Sequence, residues 1–126
     1  MTSVEIGALL VDDEPDVRLL LRKMIEAEND GVFVAGEAGD GHEALEAIDR
    51  LNPAVIVMDE RMPAMGGMEA AALIMARRPN QSIVLCTAHL DDDLRQRARA
   101  VGIASCVPKR DIATIPLLLK DLAKSA

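Results

Sequence analysis

Five short apolar runs alternate with five amphipathic ones along this chain, and the connections between them are short. Repeated strand, helix and strand units cross over right-handedly, so this order implies a parallel sheet covered by helices on both sides. The third run is the clearest. Residues 54–58 are apolar without a break, the pattern of a strand buried on both faces, and they run straight into Asp59. In an open parallel sheet, ligands and chemistry sit just beyond the carboxyl ends of the strands, which places an acid at the mouth of a site. Taken alone, Asp59 is explained equally well as a turn-capping residue.

The other elements follow in order. The first strand is read at residues 6–11 and leads into Asp12-Asp13-Glu14-Pro15. Pro15 suits the first turn of a helix, and the acids favour its positive end. Val17, Leu20, Leu21, Met24 and Ile25 repeat at helical spacing. A turn at Asn29-Asp30-Gly31 precedes a second strand at residues 32–35, and Gly39-Asp40-Gly41 precedes a helix with the stripe Ala44, Leu45, Ile48 and Leu51. Asn52-Pro53 stops that helix. After the loop at residues 63–67, Met68, Ala71, Ala72 and Met75 mark a third helix, which ends by Pro79. A fourth strand at residues 82–86 ends on Thr87, and Asp91 or Asp92 caps a fourth helix with the stripe Leu94, Ala98 and Val101, closed by Gly102. A fifth strand at residues 104–107 reaches Pro108-Lys109. Thr114 is expected to cap the last helix, with Pro116 in its first turn and Ile115, Leu118, Leu119 and Leu122 facing the core.

A chain of 126 residues fits a single domain, residues 1–126, large enough for a core without staples. Phe33 is its one aromatic residue, so the core is aliphatic with help from seven methionines, read as core or loop filler. The net charge of −7 argues against nucleic acid as a direct partner, because phosphate binding needs basic patches. No apolar run approaches membrane-spanning length and no secretory leader opens the sequence, so a cytoplasmic location is expected. Cys86 and Cys106 are read as reduced packing thiols, not a disulfide framework.

The residues just after the strands converge, since the carboxyl ends of parallel strands share one edge. Strand one delivers Asp12 and Asp13, strand three Asp59, strand four Thr87 and strand five Lys109. Each has a plain reading: helix-start acids, a turn residue, a solvated lysine. Together they form a cleft whose carboxylates need a compensating cation, and oxygen-only ligands favour a hard ion such as Mg²⁺. Three carboxylates then balance a divalent ion and the Lys109 ammonium, so an anionic phosphoryl group can approach. Asp59 suits the nucleophile, with Lys109 and Thr87 on the phosphoryl oxygens.

The opening Leu9-Leu10-Val11-Asp12-Asp13-Glu14, the Val57-Met58-Asp59 strand with Met62-Pro63-Ala64-Met65, the Thr87-Ala88 pair and Lys109 give a joint spacing that resembles the receiver domain of two-component response regulators over essentially the whole chain. The resemblance implies an α/β, flavodoxin-like (βα)5 three-layer sandwich with strand order 2-1-3-4-5. It implies that Asp59 accepts a phosphoryl group from a sensor histidine kinase or histidine phosphotransfer protein. It implies Mg²⁺ held by Asp13, Asp59 and the Arg61 backbone carbonyl, with Asp12 acting mostly through water. Thr87 and Lys109 would sense the phosphoryl group and remodel the face of the fourth helix, fifth strand and fifth helix, where a downstream protein docks. Such a domain is a phosphoacceptor, not a turnover enzyme, and is a monomer or a weak phosphorylation-linked dimer.

Four features depart from the family pattern. Cys106, three before Lys109, replaces the usual Tyr or Phe of the output switch. Arg110 follows Lys109 where many members have Pro, so no cis peptide is expected there. Gly66 stands where an acid often caps the third helix, which predicts a looser helix start. Arg61 and His89 occupy the positions that tune phosphate lifetime. Two rival readings remain: a pseudo-receiver or adaptor that binds partners regardless of phosphate, and a metal-dependent phosphatase, which lacks a general acid here. Gly39-Asp40-Gly41-His42-Glu43-Ala44 also fits a dinucleotide-binding pattern, with His42 otherwise a solvated helix residue, but the second nucleotide-binding half is missing. The sequence stops soon after the fifth helix, which leads to the expectation of a stand-alone receiver or one excised from a larger regulator.

Overall fold

Side chains alternate along β1 (Ile6–Val11), and that alternation sets the layering of the molecule. Ile6, Ala8 and Leu10 point into one apolar layer, Leu9 and Val11 into the other. β3 (Val55–Met58) does the same, with Val55 and Val57 on the first side and Ile56 and Met58 on the second. The computed structural model describes residues 5–28 and 30–124, so Asn29 of the expected turn lies outside the described residues.

The described residues form five parallel strands in the order β2-β1-β3-β4-β5, with β2 at Val32–Ala38, β4 at Ser82–Thr87 and β5 at Ser105–Pro108. α1 (Pro15–Glu28) and α5 (Ile115–Lys124) cover one face. α2 (Gly41–Leu51), α3 (Gly67–Arg77) and α4 (Asp92–Val101) cover the other. This is the three-layer α/β sandwich and the strand order that the sequence implied. The strand ends differ slightly from the reading above. β2 runs to Ala38 because the β1–β2 register shifts between Ala8 and Leu9, leaving Ala35 as the extra residue of a bulge.

The rotation of two helices also departs from the sequence pattern. In α1, Arg18 and Arg22 turn toward Glu37 of β2 while Leu21 and Ile25 are buried, so Leu20 falls on the far side and is 46% exposed. In α3 the buried stripe is Gly67, Ala70, Ala71 and Ile74, one position out from the expected Met68, Ala71, Ala72 and Met75. Gly67 sets that rotation, because it is pressed against the backbone of Asp59 and Glu60.

Helix ends follow local chemistry. The Asp91 carboxylate accepts the Leu94 N–H at 2.8 Å and caps α4. Thr114 does not cap α5. Residues Lys109–Thr114 form a short 3-10 helix that runs directly into α5, so the Ile115 N–H already reaches the Ile112 carbonyl. The Thr114 hydroxyl instead donates to the Asp111 carbonyl at 2.8 Å. The start of α3 is not loose either: the Glu60 carboxylate accepts the Met68 N–H at 2.8 Å, replacing the cap that Gly66 cannot supply.

Glu37 ties α1 to β2. Its carboxylate accepts from Arg18 Nε at 2.8 Å and from Arg22 Nη2 at 2.7 Å. Burial alone would raise its pKa, but the bonds from Arg22 and Arg18 hold it below its ordinary value. A depressed folded pKa means stabilisation that is complete above the unfolded value and is lost as pH falls through the folded one. Glu37→Gln should therefore lower stability by about 0.5–1 kcal/mol at neutral pH, screened as it is by solvent. In urea titrations at a series of pH values, the gap to the parent should close in acid.

Candidate functional site

Strand geometry carries the acids past the ends of the sheet. The Asp12 N–H bonds the Ala38 carbonyl at 3.1 Å, and the Asp59 N–H bonds the Val11 carbonyl at 3.0 Å. Each ladder thus extends one residue beyond its strand, and both side chains emerge at the same edge. Thr87 pairs with Pro108 in the β4–β5 register, so Lys109 follows directly beside it. Asp12, Asp59 and Thr87 are all buried, at 3%, 5% and 1% exposure.

Lys109 holds the centre. Its Nζ lies 3.1 Å from Asp12 Oδ2, 3.2 Å from Asp59 Oδ2 and 3.7 Å from Glu14 Oε1. The second oxygen of each aspartate is taken by backbone. Asp12 Oδ1 accepts the Glu14 N–H at 2.9 Å, and Asp59 Oδ1 accepts the Glu60 N–H at 2.8 Å. Every carboxylate oxygen of the buried pair therefore has a donor, as buried acids require.

The electrostatics follow from burial and pairing. Burial pushes the Asp12 carboxyl above its ordinary value, and the neighbouring Asp59 adds to that, while the Glu14 N–H and Lys109 oppose it. Burial alone would lower the Lys109 pKa, but the hydrogen bond to Asp12 and the charges of Asp12 and Asp59 raise it overall. A raised lysine value stabilises the fold at every pH below the ordinary range and is lost only in strong alkali. Lys109 is thus a fixed cation under working conditions. Nearby, burial drives the Cys86 thiol up to about 11.

The sequence-predicted residues do not all meet in the same way. Asp12, Asp59 and Lys109 meet at the site, Thr87 is buried at the end of the neighbouring strand, and Asp13 is exposed. The carboxylate oxygens of Asp12, Asp13 and Glu14 lie within 4.8 Å of one another, an oxygen-only donor set that fits a hard divalent cation. Glu14 was read from sequence only as part of the opening motif and a helix-start acid. Its link to Lys109 depends on a loop geometry that spacing does not reveal. Arg61 and His89 are exposed on the loops after β3 and β4.

The loop after β3 is shaped by close approach. A Cβ on Gly67 would collide with the Asp59 carbonyl oxygen, so glycine is needed there. Ala64 adopts the left-handed region at φ 64°, unusual for a residue with a Cβ. The dinucleotide-like glycines serve a different end. The Asp40 carboxylate accepts the Glu43 N–H at 2.9 Å, while Glu43 Oε1 accepts the Gly39 N–H at 3.1 Å. These reciprocal bonds occupy donors that a pyrophosphate would need. Both cysteines are free thiols, and no cis peptide bond occurs among the described residues.

Comparison with known proteins agrees with this geometry. The family model of the response regulator receiver domain matches residues 8–119. The uncharacterized transcriptional regulatory protein YxjL of Bacillus subtilis is 44% identical over 87 residues, covering 69% of this chain and 39% of that protein. A protein-glutamate methylesterase/protein-glutamine glutaminase of Geobacter metallireducens is 39% identical over 107 residues, covering 82% of this chain and 30% of that protein. The chain spans less than half the length of these curated relatives. A crystal structure of a LuxR-family two-component response regulator from Aurantimonas superposes with a TM-score of 0.89 at 30% identity, covering 96% of this chain and 86% of that one.

Two outcomes are expected from this geometry. Gly67→Ala should destabilise the fold by about 1–3 kcal/mol through overpacking against Asp59, measured by chemical denaturation. Lys109→Gln leaves two buried carboxylates facing each other, and at least one should titrate higher by about one pH unit or more in carboxyl-detected NMR.

Proposed function

The chain belongs to the response regulator receiver family, and on that premise we propose that it is a phosphorylation-dependent signalling switch in which Asp59 is the phosphoacceptor. The observation that carries this reading is the Lys109 ammonium set 3.1 Å and 3.2 Å from the buried Asp12 and Asp59 carboxylates at the carboxyl edge of the sheet. A phosphohistidine of a sensor kinase or phosphotransfer protein is the donor. An Asp59 oxygen bonds to phosphorus as the phosphorus–nitrogen bond breaks, and the electron pair of that bond leaves with the imidazole.

The residues around Asp59 divide the work. The Glu60 N–H holds one Asp59 oxygen at 2.8 Å and orients the carboxylate for attack. Lys109 is largely withdrawn from water and positively charged, so it can transfer its bond from Asp59 to a phosphoryl oxygen without reorganising the site. Thr87, buried beside Pro108, donates its hydroxyl to a second phosphoryl oxygen and couples the end of β4 to the loop ahead of α4. Mg²⁺ fits the acidic edge, with Asp12, Asp13, Asp59 and the Arg61 carbonyl as the residues that would hold it. When bound it supplies positive charge against the phosphoryl oxygens.

The receiver unit is read over residues 1–126, acting in the cytoplasm as a phosphoacceptor without turnover of its own. Among the described residues no helix is long and apolar enough to cross a membrane. The output face is α4, β5 and α5, where a downstream protein docks. A second reading, an adaptor that works regardless of phosphate, is favoured by Cys106, a half-buried thiol on that face.

Acetyl phosphate with Mg²⁺, followed by intact mass measurement, tests the phosphoacceptor reading. The parent chain should gain one phosphoryl group, and Asp59→Asn should gain none. If neither a mass gain nor a beryllofluoride complex forms on the parent, the adaptor reading replaces it.

A further inference from the structure

The molecule is acidic as a whole, with a net charge of −7, yet one cleft on it is lined by unpaired cations. Arg95 and Arg99 lie one turn apart on α4 and, with Ile103, Ala104, Ser105 and Cys106, line a cleft of about 180 Å³ against the start of β5. Among the described residues neither guanidinium has a hydrogen bond or ion pair, whereas Arg97 between them is paired with Asp93 at 3.0 Å. Asp91, one turn before Arg95, caps α4 by accepting the Leu94 N–H. Ile103 is buried at the floor, and Ala104 is exposed at the edge.

We infer that this cleft is a docking socket for a carboxylate side chain presented by a protein partner. The inference rests on the reading of α4, β5 and α5 as the output face, and it adds the chemistry of what docks there. Two guanidiniums at this spacing present planar forks that match a carboxylate, and such charge-assisted bonds are the strong ones. Ile103 and Ala104 take the methylenes of the incoming side chain. Size decides between a small molecule and a protein. Sites that enclose a small ligand are roughly 300–1,000 Å³, so a cleft of this volume suits one side chain delivered by a larger surface. The partner surface is accordingly acidic, with a glutamate or aspartate at its centre, and attraction to Arg95 and Arg99 offsets the general repulsion from an acidic domain.

The probe is a capped peptide with two adjacent glutamates on a neutral helix-forming frame, beside its glutamine isostere, titrated into the isotope-labelled chain. The glutamate peptide should shift the amide signals of Arg95, Arg99 and residues 103–106. Its affinity should fall by about tenfold or more for the glutamine peptide and for the doubly substituted Arg95→Gln/Arg99→Gln chain. Both arginines are exposed, so that variant should keep the parent fold. Equal binding of the two peptides, shifts that map elsewhere, or undiminished binding by the variant would overturn the inference. So would matching shifts with sodium acetate at the same concentration, which would mean an anion site without a partner. Self-association of the parent that the double variant loses would assign the cleft to a second copy of the chain instead. Phosphoryl uptake on Asp59 is measured in parallel. The double variant should retain it, and a parent without uptake would sink the phosphoacceptor reading while leaving the peptide result to decide the cleft.

Discussion

Two buried carboxylates, Asp12 and Asp59, face one another across the carboxyl edge of the sheet with the Lys109 ammonium between them. Taking one unpaired carboxylate out of water is unfavourable, and taking out two side by side is more so. Lys109 offsets this by bonding to both. The backbone completes the arrangement by giving each aspartate an N–H for its other oxygen. The cation is thus largely withdrawn from water, the backbone donors are fixed, and the two acids share one ammonium.

That arrangement needs a stiff frame. The frame comes from ladders that continue past the strands and from the contact of Gly67 with the Asp59 backbone. Glu60 is used twice, since its N–H holds Asp59 and its carboxylate caps α3 through Met68. The residue that follows Asp59 is thus also the one that anchors the next helix. The Asp59 carboxylate is linked through Glu60 to the start of α3 by two hydrogen bonds. On the opposite side Arg18 bonds both the Asp12 carbonyl and Glu37, which fixes the β1–α1 loop to β2.

The face beyond β4 carries Cys106 and two arginines of α4. Cys106 is small and half-buried, and burial raises its pKa against the opposing charges of Arg95 and Arg99. Without an aromatic ring at that place, the surface next to α4 is a shallow cleft edged by arginines. Its character is electrostatic, in contrast with the aliphatic core on which it sits.

The order and type of the elements, the parallel sheet and the meeting of Asp12, Asp59 and Lys109 were all legible in the sequence. Each follows from local periodicity and from the rule that parallel strands share a carboxyl edge. Local pattern also accounts for the Asp91 cap and the Asn52 stop, because both act within a few residues of chain. What it could not fix was rotation, and partners far apart in the chain. Leu20 looked like a core residue until Arg18 and Arg22 were turned to Glu37 on another strand. The α3 stripe was displaced because Gly67 meets Asp59, and the missing cap at Gly66 was supplied by Glu60 from the preceding loop. Glu14 joins Lys109 from 95 positions earlier in the chain. Sequence periodicity specifies which residues can share a face, whereas the angle at which that face is presented is set by contacts between segments, and those exist only once the chain is folded.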